Sequence, residues 1–420
     1  QAVNLNVGGN NGTSTYSGTI SGAGTLTKTG TGSITLAGAA ANTFTGLTTV
    51  NNGTLLLNKS GGAKAIVGNI SLVSGGDLRF GSNTSQLAST TQITINGGQS
   101  TFNGIASNSG VATINETFAS LTVQRGVVNA GFVGSQLTVT GASSFSGNDG
   151  TTKDTSTMYI GNSGSSYFTG SLSLTDMTGA GGTEQANSFT VFGNSDVSQT
   201  VLHIGSGGLA LNNSNLYLYK GTGANTLGSR LILDGDITVT GPAASAIIFN
   251  SGSIGQSEIE LSSTAAPVTR LITASADLSI NADINNGAAT LANLTKAGAG
   301  VLTLTGINSY TGHTQVNAGT LSINSSASLG DASVTNTLGL ASDTTLRYTG
   351  TGIADLTASR TVALGTGIAT FDVTQGTGNL ILSGSVTGAG TGALTKTGVG
   401  TLTLAGTDLS GLGNRGLNLA

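Results

Sequence analysis

The stretch Gly22-Ala-Gly-Thr-Leu-Thr-Lys-Thr-Gly-Thr-Gly-Ser-Ile-Thr-Leu-Ala-Gly38 decides the fold of this chain, because it recurs. Near the C-terminus it reads Gly388-Ala-Gly-Thr-Gly-Ala-Leu-Thr-Lys-Thr-Gly-Val-Gly-Thr-Leu-Thr-Leu-Ala-Gly406, and a shorter copy reads Leu294-Thr-Lys-Ala-Gly-Ala-Gly-Val-Leu-Thr-Leu-Thr-Gly306. Self-similarity of this kind, here with a unit of about 40 residues, indicates a repeat architecture. The continuations of two copies also match, in the pairs Asn42-Thr-Phe-Thr-Gly46 with Asn308-Ser-Tyr-Thr-Gly312 and Val50-Asn-Asn-Gly-Thr-Leu55 with Val316-Asn-Ala-Gly-Thr-Leu321.

The repeat alternates aliphatic residues with hydroxyl residues. In Val301-Leu-Thr-Leu-Thr305 leucine alternates with threonine, which places leucine on one face of a strand and threonine on the other. Gly30, Gly32 and Gly38 interrupt the strands and permit the corners that turn the chain into its next side. Such short strands favour a coil of stacked rungs over a hairpin sandwich. With about two rungs per unit, the chain is predicted to form about 20 rungs and a rod on the order of 100 Å long.

The composition supports a solenoid and excludes several classes of protein. Of 420 residues, 68 are glycine and 8% are charged, whereas hydrophobic residues still reach 37%. Regularly spaced hydrophobic residues argue against disorder. A net charge of −4 without any cluster of basic residues argues against binding to nucleic acid, which requires such clusters. The chain contains no cysteine, which excludes disulfides and cysteine-based metal sites and is typical of a protein that is exported unfolded.

The middle of the chain carries the same alternation without the full motif. Gln92-Ile-Thr-Ile95, Leu137-Thr-Val-Thr140 and Leu231-Ile-Leu233 are examples. We therefore predict a single continuous β-solenoid over residues 1–420 with a degenerate middle at 58–282. Its clearest repeats are predicted at residues 18–57, 284–323 and 384–406.

The motif G-A-G-T-L-T-K-T-G-x-G-x-L-T-L-A-G, followed by N-x-[FY]-T-G and V-N-x-G-T-L, resembles the autotransporter-associated (passenger-associated) β-strand repeat. The resemblance implies a right-handed parallel β-helix, export through the cell envelope, and a role on or outside a bacterial cell. This family includes adhesins, enzymes and structural proteins. The resemblance therefore bears on architecture more than on activity.

Two pairs of carboxylates are candidates for glycoside hydrolysis. Glu258 and Glu260 lie two residues apart, which places both on one strand face, and Asp234 and Asp236 flank Gly235 at a corner. Carboxylates about 5 to 9 Å apart can serve as acid and nucleophile or base. The competing interpretation is structural, with the glutamates on a solvated strand face and the aspartates in turns. We favour the structural interpretation, because no histidine, arginine or aromatic residue accompanies either pair in the sequence.

Other residues that carry chemistry are scattered. His203 alternates with buried-type residues and His313 occupies a corner, so neither indicates a triad or a metal site. Tyr217 and Tyr219 share a strand face and either contact sugar or cover an apolar flank. The calcium motif G-G-x-G-x-D is absent. Three lysines occupy one repeat position and are expected to be solvated turn charges, with an anion-binding stripe as the alternative: Lys28, Lys296 and Lys396.

These patterns predict a secreted or cell-surface structural or adhesive protein of a bacterium, without catalytic, cofactor-binding or metal-binding residues. Surface glycans and other copies of the chain are the expected partners. Ala2-Val-Asn-Leu-Asn-Val7 and Gly416-Leu-Asn-Leu-Ala420 carry no obvious polar cap, which predicts head-to-tail stacking into a filament or matrix. The alternative function is a polysaccharide lyase or glycosidase on a β-helix scaffold. A pocket that gathers several carboxylates or arginines from adjacent rungs would favour the enzyme.

Overall fold

The structure is a computed structural model that describes residues 4–73, 75–104, 115–130, 135–147, 156–161, 164–178, 188–193, 199–220, 228–250, 257–388, 392–406, 408, 412 and 416–419. The regular structure of these residues consists of β-strands and one 3-10 helix at Ser326–Leu329. The all-β prediction is therefore confirmed.

The strands are short, and most of them have three to six residues. The first group is β1 (Leu5–Val7), β2 (Ser14–Tyr16), β3 (Leu26–Lys28), β4 (Ser33–Leu36), β5 (Thr48–Val50), β6 (Gly53–Leu57), β7 (Ile70–Val73), β8 (Gly76–Phe80), β9 (Gln92–Gly104), β10 (Asn115–Phe118), β11 (Ser120–Asn129), β12 (Gln136–Val139), β13 (Ser143–Ser146) and β14 (Ser156–Gly161). The second is β15 (Ser165–Phe168), β16 (Leu172–Thr175), β17 (Ser188–Gly193), β18 (Thr200–Ile204), β19 (Leu209–Asn212), β20 (Asn215–Lys220), β21 (Ser229–Leu233), β22 (Ile237–Thr240), β23 (Ser245–Asn250), β24 (Glu258–Glu260), β25 (Val268–Ala274), β26 (Leu278–Ile280), β27 (Asp283–Asn285) and β28 (Ala292–Ala297). The third is β29 (Val301–Leu304), β30 (Thr314–Val316), β31 (Thr320–Ile323), β32 (Leu338–Leu340), β33 (Thr344–Tyr348), β34 (Ile353–Asp355), β35 (Val362–Leu364), β36 (Ala369–Val373), β37 (Asn379–Leu382), β38 (Val386–Thr387), β39 (Leu394–Thr397), β40 (Thr401–Leu404) and β41 (Leu417–Leu419).

The chain divides into two compact units. Unit 1 comprises Gln1–Leu209, Ser214–Leu231 and Asn250–Ser257, and unit 2 comprises Ala210–Asn213, Ile232–Phe249 and Glu258–Ala420. Each unit is a parallel β-solenoid in its own right. The prediction of one continuous solenoid over residues 1–420 stays a prediction.

In unit 1 each strand pairs in parallel with a strand one turn later. One ladder runs β1–β3–β5–β7–β9–β11–β13, a second runs β2–β4–β6–β8, and a third runs β10–β12–β15–β18. Parallel neighbours cannot be joined by a tight hairpin, so the chain must travel around the coil before it returns to the same sheet. This connection makes the structure a solenoid and confirms the predicted fold class.

Unit 2 has the same organisation. Its main ladders run β22–β25–β28–β30–β32–β35–β38 and β26–β29–β31–β33–β36–β39–β41, and shorter ones join β24 to β27 and β34 to β37 and β40. The aliphatic residues of the alternating strands point inwards: Leu302 and Leu304 are buried while Val301 and Thr303 are half-buried on the other face. The hydrophobic core is therefore the interior of the coil, as the alternation predicts.

The predicted number of about 20 rungs is too high, because the length of a turn varies along the chain. In the repeats, Leu26 lies opposite Thr48, and Leu294 lies opposite Thr314, 22 and 20 residues later respectively. In the middle the spacing is longer, as between Ser165 and Val201, which are 36 residues apart. The repeats alone set the estimate of two rungs per unit, whereas the turns in the middle are longer.

Glycines of the repeat lie where one turn passes closely over another. A Cβ atom on Gly46 would collide with the carbonyl oxygen of Gly24, and one on Gly312 would collide with that of Ala292. Gly46 and Gly312 are the last residues of the two N-x-[FY]-T-G motifs. The motif glycine is therefore required by close backbone approach.

We expect Gly46→Ala and Gly312→Ala each to lower the free energy of unfolding by about 2 kcal/mol, because the added methyl group must displace backbone. Gly9→Ala and Gly352→Ala are the matched controls, since a Cβ atom there meets no heavy atom closer than 4.0 Å. Chemical denaturation followed by circular dichroism measures the difference. Equal losses in all four variants would contradict the steric explanation.

Candidate functional site

The repeat lysines lie inside the solenoid. In unit 1, Lys28 ends β3 with 0% of its surface exposed. Its Nζ atom donates to the carbonyl oxygens of Thr29 at 2.8 Å, Gly30 at 2.8 Å and Asn52 at 3.0 Å. The first two carbonyls belong to the corner that follows the lysine, and the third belongs to the same corner of the next turn.

The second repeat builds the same arrangement, which we call the lysine corner. In unit 2, Lys296 is 1% exposed and its Nζ atom donates to Ala297 O at 3.0 Å, Gly298 O at 2.6 Å and Ala318 O at 2.9 Å. Lys396 is half-buried and donates to Thr397 O and Gly398 O, each at 2.7 Å. The expectation of solvated turn charges is thus wrong for Lys28 and Lys296, and the alternative of an anion-binding stripe fails because these ammonium groups are turned inwards.

The lysine corner works because a bend breaks the regular hydrogen-bond ladder and leaves carbonyl oxygens pointing at one another. A buried polar group without a partner is costly, and an ammonium group supplies three donors to meet three acceptors. Burial lowers the pKa of Lys296 to about 8 and also lowers the pKa of Lys28. The Nζ atoms of both lysines donate to three backbone carbonyl oxygens each, so the lysines serve to connect the corners of successive turns.

An asparagine clamp joins three turns at another corner. In unit 1, Asn42 accepts from Ile20 N at 2.9 Å and donates to Ala65 O at 2.8 Å. In unit 2, Asn308 accepts from Ile284 N at 2.9 Å and donates to Ser328 O at 2.6 Å. Both are the first residue of the N-x-[FY]-T-G motif, so this part of the repeat is also explained by backbone contacts between turns.

A buried polar ladder extends the clamp in unit 1. Lys59 Nζ donates to Gly18 O and Ala37 O, while its backbone N–H donates to the side chain of Gln86. The backbone N–H of Gln86 donates to Glu116 at 2.7 Å, and that of Leu87 donates to the second carboxylate oxygen at 3.0 Å. Burial raises the pKa of Glu116 to about 7, although these two hydrogen bonds and the charge of Lys64 act in the opposite direction.

In unit 2 a buried arginine also donates hydrogen bonds to backbone carbonyl oxygens, as the lysines of the lysine corners do. Arg360 is 1% exposed, and its guanidinium donates to Asn336 O at 3.2 Å and Asp331 O at 2.7 Å. Asn336 in turn donates to Tyr310 O at 3.0 Å. No signal in the sequence identifies Arg360, because it lies outside the repeat motif. Its burial follows only from the stacking of turns.

The candidate carboxylate pairs are occupied by structural contacts. Asp234 accepts from the backbone and hydroxyl of Ser263 at 2.8 and 2.5 Å, and Asp236 accepts from Leu271 N at 2.9 Å. Arg270 lies 3.7 Å from Asp234, but its Nε donates to Leu233 O and Leu261 O. These groups close one turn against the next, as expected for turn residues.

The glutamate pair differs from expectation in one respect. Glu258 is half-buried and accepts from Asn285 Nδ2 at 2.7 Å, whereas Glu260 is only 9% exposed. The expected solvated face is therefore wrong for Glu260. In the parallel ladder Glu258 lies beside Asp283 and Glu260 lies beside Asn285 of the next turn.

The histidines and tyrosines do not converge on a site. His203 lies on the outer face, where its ring meets that of Tyr167 edge-on at 5.4 Å, and His313 lies at a corner of unit 2. Tyr217 and Tyr219 stack at 6.0 Å, and Tyr217 is only 7% exposed. The burial of Tyr217 agrees with the interpretation that the pair covers an apolar flank of the solenoid. Its ring offers little surface for contact with a sugar.

Within the described residues, no group of three or more histidine, aspartate or glutamate side chains is arranged to hold a metal ion. No helix in that part of the chain has the length and hydrophobicity to cross a bilayer. A cavity of about 770 Å³ in unit 1 is bordered by β1 to β4, and its lining includes Leu5, Tyr16 and Leu26. Its lining residues include no acidic, basic or histidine side chain.

The outer wall of unit 1 carries a regular column of hydroxyl groups. Successive turns place one half-buried Ser or Thr at the same position, about 4.8 Å apart as in any sheet. We call this set the hydroxyl column: Thr27, Thr49, Ser71, Thr94, Thr122, Ser144 and Ser173. The equivalent position in unit 2 is less regular, with Thr295, Gln315, Gly339, Ala363 and Thr387. The hydroxyl column is a repetitive polar surface.

Comparison with known proteins agrees with this geometry. The family model of the passenger-associated-transport-repeat matches residues 26–57, 294–323 and 394–411, which include all three repeat lysines. These three stretches of the chain therefore carry the passenger-associated-transport repeat. A curated relative, the adhesin BmaC autotransporter of Brucella suis biovar 1 (strain 1330), is 41% identical over 107 residues. That alignment covers 25% of this chain and 3% of the adhesin, and no solved structure matches the chain.

We expect Lys28→Met and Lys296→Met to destabilise their units by about 3 kcal/mol each, because several corner carbonyls lose their donor in a buried place. Lys396→Met is the control and should cost less stability, since Lys396 is half-buried and contacts two carbonyl oxygens. Chemical denaturation gives the three values. If Lys396→Met lowers the free energy of unfolding as much as Lys28→Met does, burial of the lysine is not the cause of the destabilisation.

The stability of unit 1 is expected to depend on pH through Glu116. Its pKa in the folded protein is about 7 and exceeds the ordinary 4.5, so the folded state binds the proton more tightly and stability falls as the pH rises from about 4.5 to about 7. The full change is about 3 kcal/mol. Chemical denaturation at several pH values in this window should show that the free energy of unfolding changes less with pH in Glu116→Gln than in the wild type. The same pH dependence in both proteins would refute the raised pKa of Glu116.

Proposed function

We propose that this protein is a structural and adhesive segment on the surface of a bacterium or outside it, and that it is not an enzyme. The observation that carries the proposal is the combination of passenger-associated-transport repeats with an outer wall of uniform small polar side chains. The similarity to part of an autotransporter adhesin supports the same role. Ladders of backbone hydrogen bonds give such a segment stiffness without any specialised residue.

The hydroxyl column is the surface proposed to adhere. Each hydroxyl group can donate and accept one or more hydrogen bonds, but a single exposed hydroxyl contributes little net affinity. Repetition on successive turns changes this, because a long polymeric partner such as a surface glycan can engage many positions at once. We therefore propose weak individual contacts and strong multivalent adhesion.

The polysaccharide-acting enzyme is disfavoured by the contacts of the candidate residues. Asp234 and Asp236 accept hydrogen bonds from neighbouring turns, and Glu260 is buried. The cavity in unit 1 has none of the carboxylate or arginine residues that the enzyme would require. Head-to-tail stacking into filaments stays a prediction, which negative-stain electron microscopy of concentrated protein would test.

Adhesion can be tested with beads that carry many copies of the chain, applied to surfaces coated with bacterial or host glycans. The variant Thr49→Lys/Ser71→Lys/Thr94→Lys should reduce bead retention at least about tenfold, because three long side chains interrupt the column. The variant Thr295→Lys/Gln315→Lys/Ala363→Lys adds the same charge to the outer wall of unit 2 and should retain adhesion. Equal retention of both variants would contradict adhesion through the hydroxyl column.

A further inference from the structure

The lysine corner of unit 1 contains a chemically unusual dipeptide, Asn52-Gly53. Asn52 is exposed, and the backbone N–H of Gly53 donates to Asn52 Oδ1 at 2.8 Å. Gly53 has a positive φ of 63° at the start of β6. The glycine nitrogen thus lies beside the side-chain amide of the residue that precedes it, and Gly53 has no side chain to obstruct an approach.

The ammonium group of Lys28 contacts the peptide group between Asn52 and Gly53 from the interior of the solenoid. Its Nζ atom donates to Asn52 O at 3.0 Å, and this carbonyl is conjugated with the nitrogen of Gly53. When that nitrogen loses its proton, negative charge spreads onto Asn52 O. A buried cation already placed at an atom where charge develops stabilises that charge without further reorganisation.

We propose that Asn52-Gly53 is a self-modifying site, at which Asn52 deamidates spontaneously with the help of Lys28. The Gly53 nitrogen gives its proton to water and forms a bond to Asn52 Cγ. The bond from Cγ to Nδ2 breaks, and the amide leaves as ammonia after it takes up a proton. Water then opens the resulting succinimide ring to aspartate or isoaspartate, and no oxidant or reductant is needed.

The geometry permits the attack. A reaction becomes much faster when its reacting groups are held close to the geometry of attack. The hydrogen bond from Gly53 N to Oδ1 holds the reacting groups together. Rotation about the Cβ–Cγ bond, whose torsion is broad for asparagine, can then turn the face of the amide plane at Cγ towards the nitrogen. In the next turn, a Cβ atom on Gly75 would be 3.9 Å from Asn52 Oδ1, so Gly75 does not crowd this side chain.

Four other asparagine-glycine pairs lie in the described residues, and two of them, Asn96-Gly97 and Asn103-Gly104, lie within strand β9. The remaining two, at Asn286 and Asn11, are held in unreactive arrangements. The side chain of Asn286 is engaged by Thr311 through both its oxygen and its nitrogen, and Gly287 N donates to Asn285 instead. Asn11 accepts from Thr31 N, and Gly12 N donates to Asn10. These pairs serve as internal controls within one molecule.

The modification would change the lysine corner. The isoaspartate product routes the main chain through the side chain and adds one methylene to the backbone, which moves Asn52 O relative to Lys28. Either product also adds a negative charge at an exposed corner beside a buried cation. The lysine corner of unit 2 lacks this chemistry, because Ala318 takes the place of Asn52.

Peptide mapping by mass spectrometry of the purified full chain, after incubation near neutral pH, tests the proposal without any mutation. We expect Asn52 to deamidate at least about tenfold faster than Asn286 or Asn11, with isoaspartate among the products. Similar rates at all three positions, or a slower rate at Asn52, would overturn the proposal.

A transplant into the second repeat tests the part played by the lysine corner. Ala318→Asn places an asparagine before Gly319, whose φ is 70°, and Lys296 Nζ already contacts the carbonyl of residue 318. The new asparagine should deamidate within about tenfold of the rate at Asn52. If it is as slow as Asn286 in a variant that retains the circular dichroism spectrum and unfolding midpoint of the wild type, the lysine corner does not promote the reaction.

Discussion

The structure depends on how the corners of the coil satisfy their backbone carbonyl groups. Strand ladders pair the backbone of each flat side, but a bend turns several carbonyl oxygens inwards, away from solvent. Lys28, Lys296 and Arg360 meet these oxygens with buried cationic groups. A buried cation ordinarily needs a carboxylate partner. Here several carbonyl dipoles replace the carboxylate, which suits a chain in which only 8% of residues are charged.

The same constraint links neighbouring turns and explains the repeat motif position by position. Lysine ties its own corner to the next one, asparagine clamps the turns on either side, and glycine permits close backbone approach. In a solenoid each turn contacts only its neighbours, so such contacts between turns take the place of a large globular core. The two units reuse this solution independently, with Asn42 and Asn308 making equivalent hydrogen bonds.

A solenoid held together in this way places its specialised polar residues inside and leaves a uniform wall outside. Glu116, Lys59 and Arg360 are buried and engaged, whereas the outer face of unit 1 repeats one small hydroxyl residue per turn. Catalysis requires a few groups that converge, and adhesion requires many groups that repeat. In the described residues of unit 1 the hydroxyl groups repeat on successive turns, which is the arrangement that the proposed adhesion requires. The proposed deamidation at Asn52 adds a slow chemical change that the other lysine corner lacks.

The recurring motif and the alternation of leucine and threonine were sufficient to predict a β-solenoid, because a period of two residues decides which face of a strand is buried. The parallel β-helix was implied by the resemblance to the passenger-associated repeat. The repeats also identified Lys28, Lys296 and Lys396 as equivalent, although the expected solvent exposure was wrong. Only the tertiary structure showed that Lys28 and Lys296 point inwards, that Glu260 is covered, and that the middle turns are longer. These properties depend on carbonyls and side chains contributed by adjacent turns, 20 or more residues away, and local patterns contain no information about such neighbours.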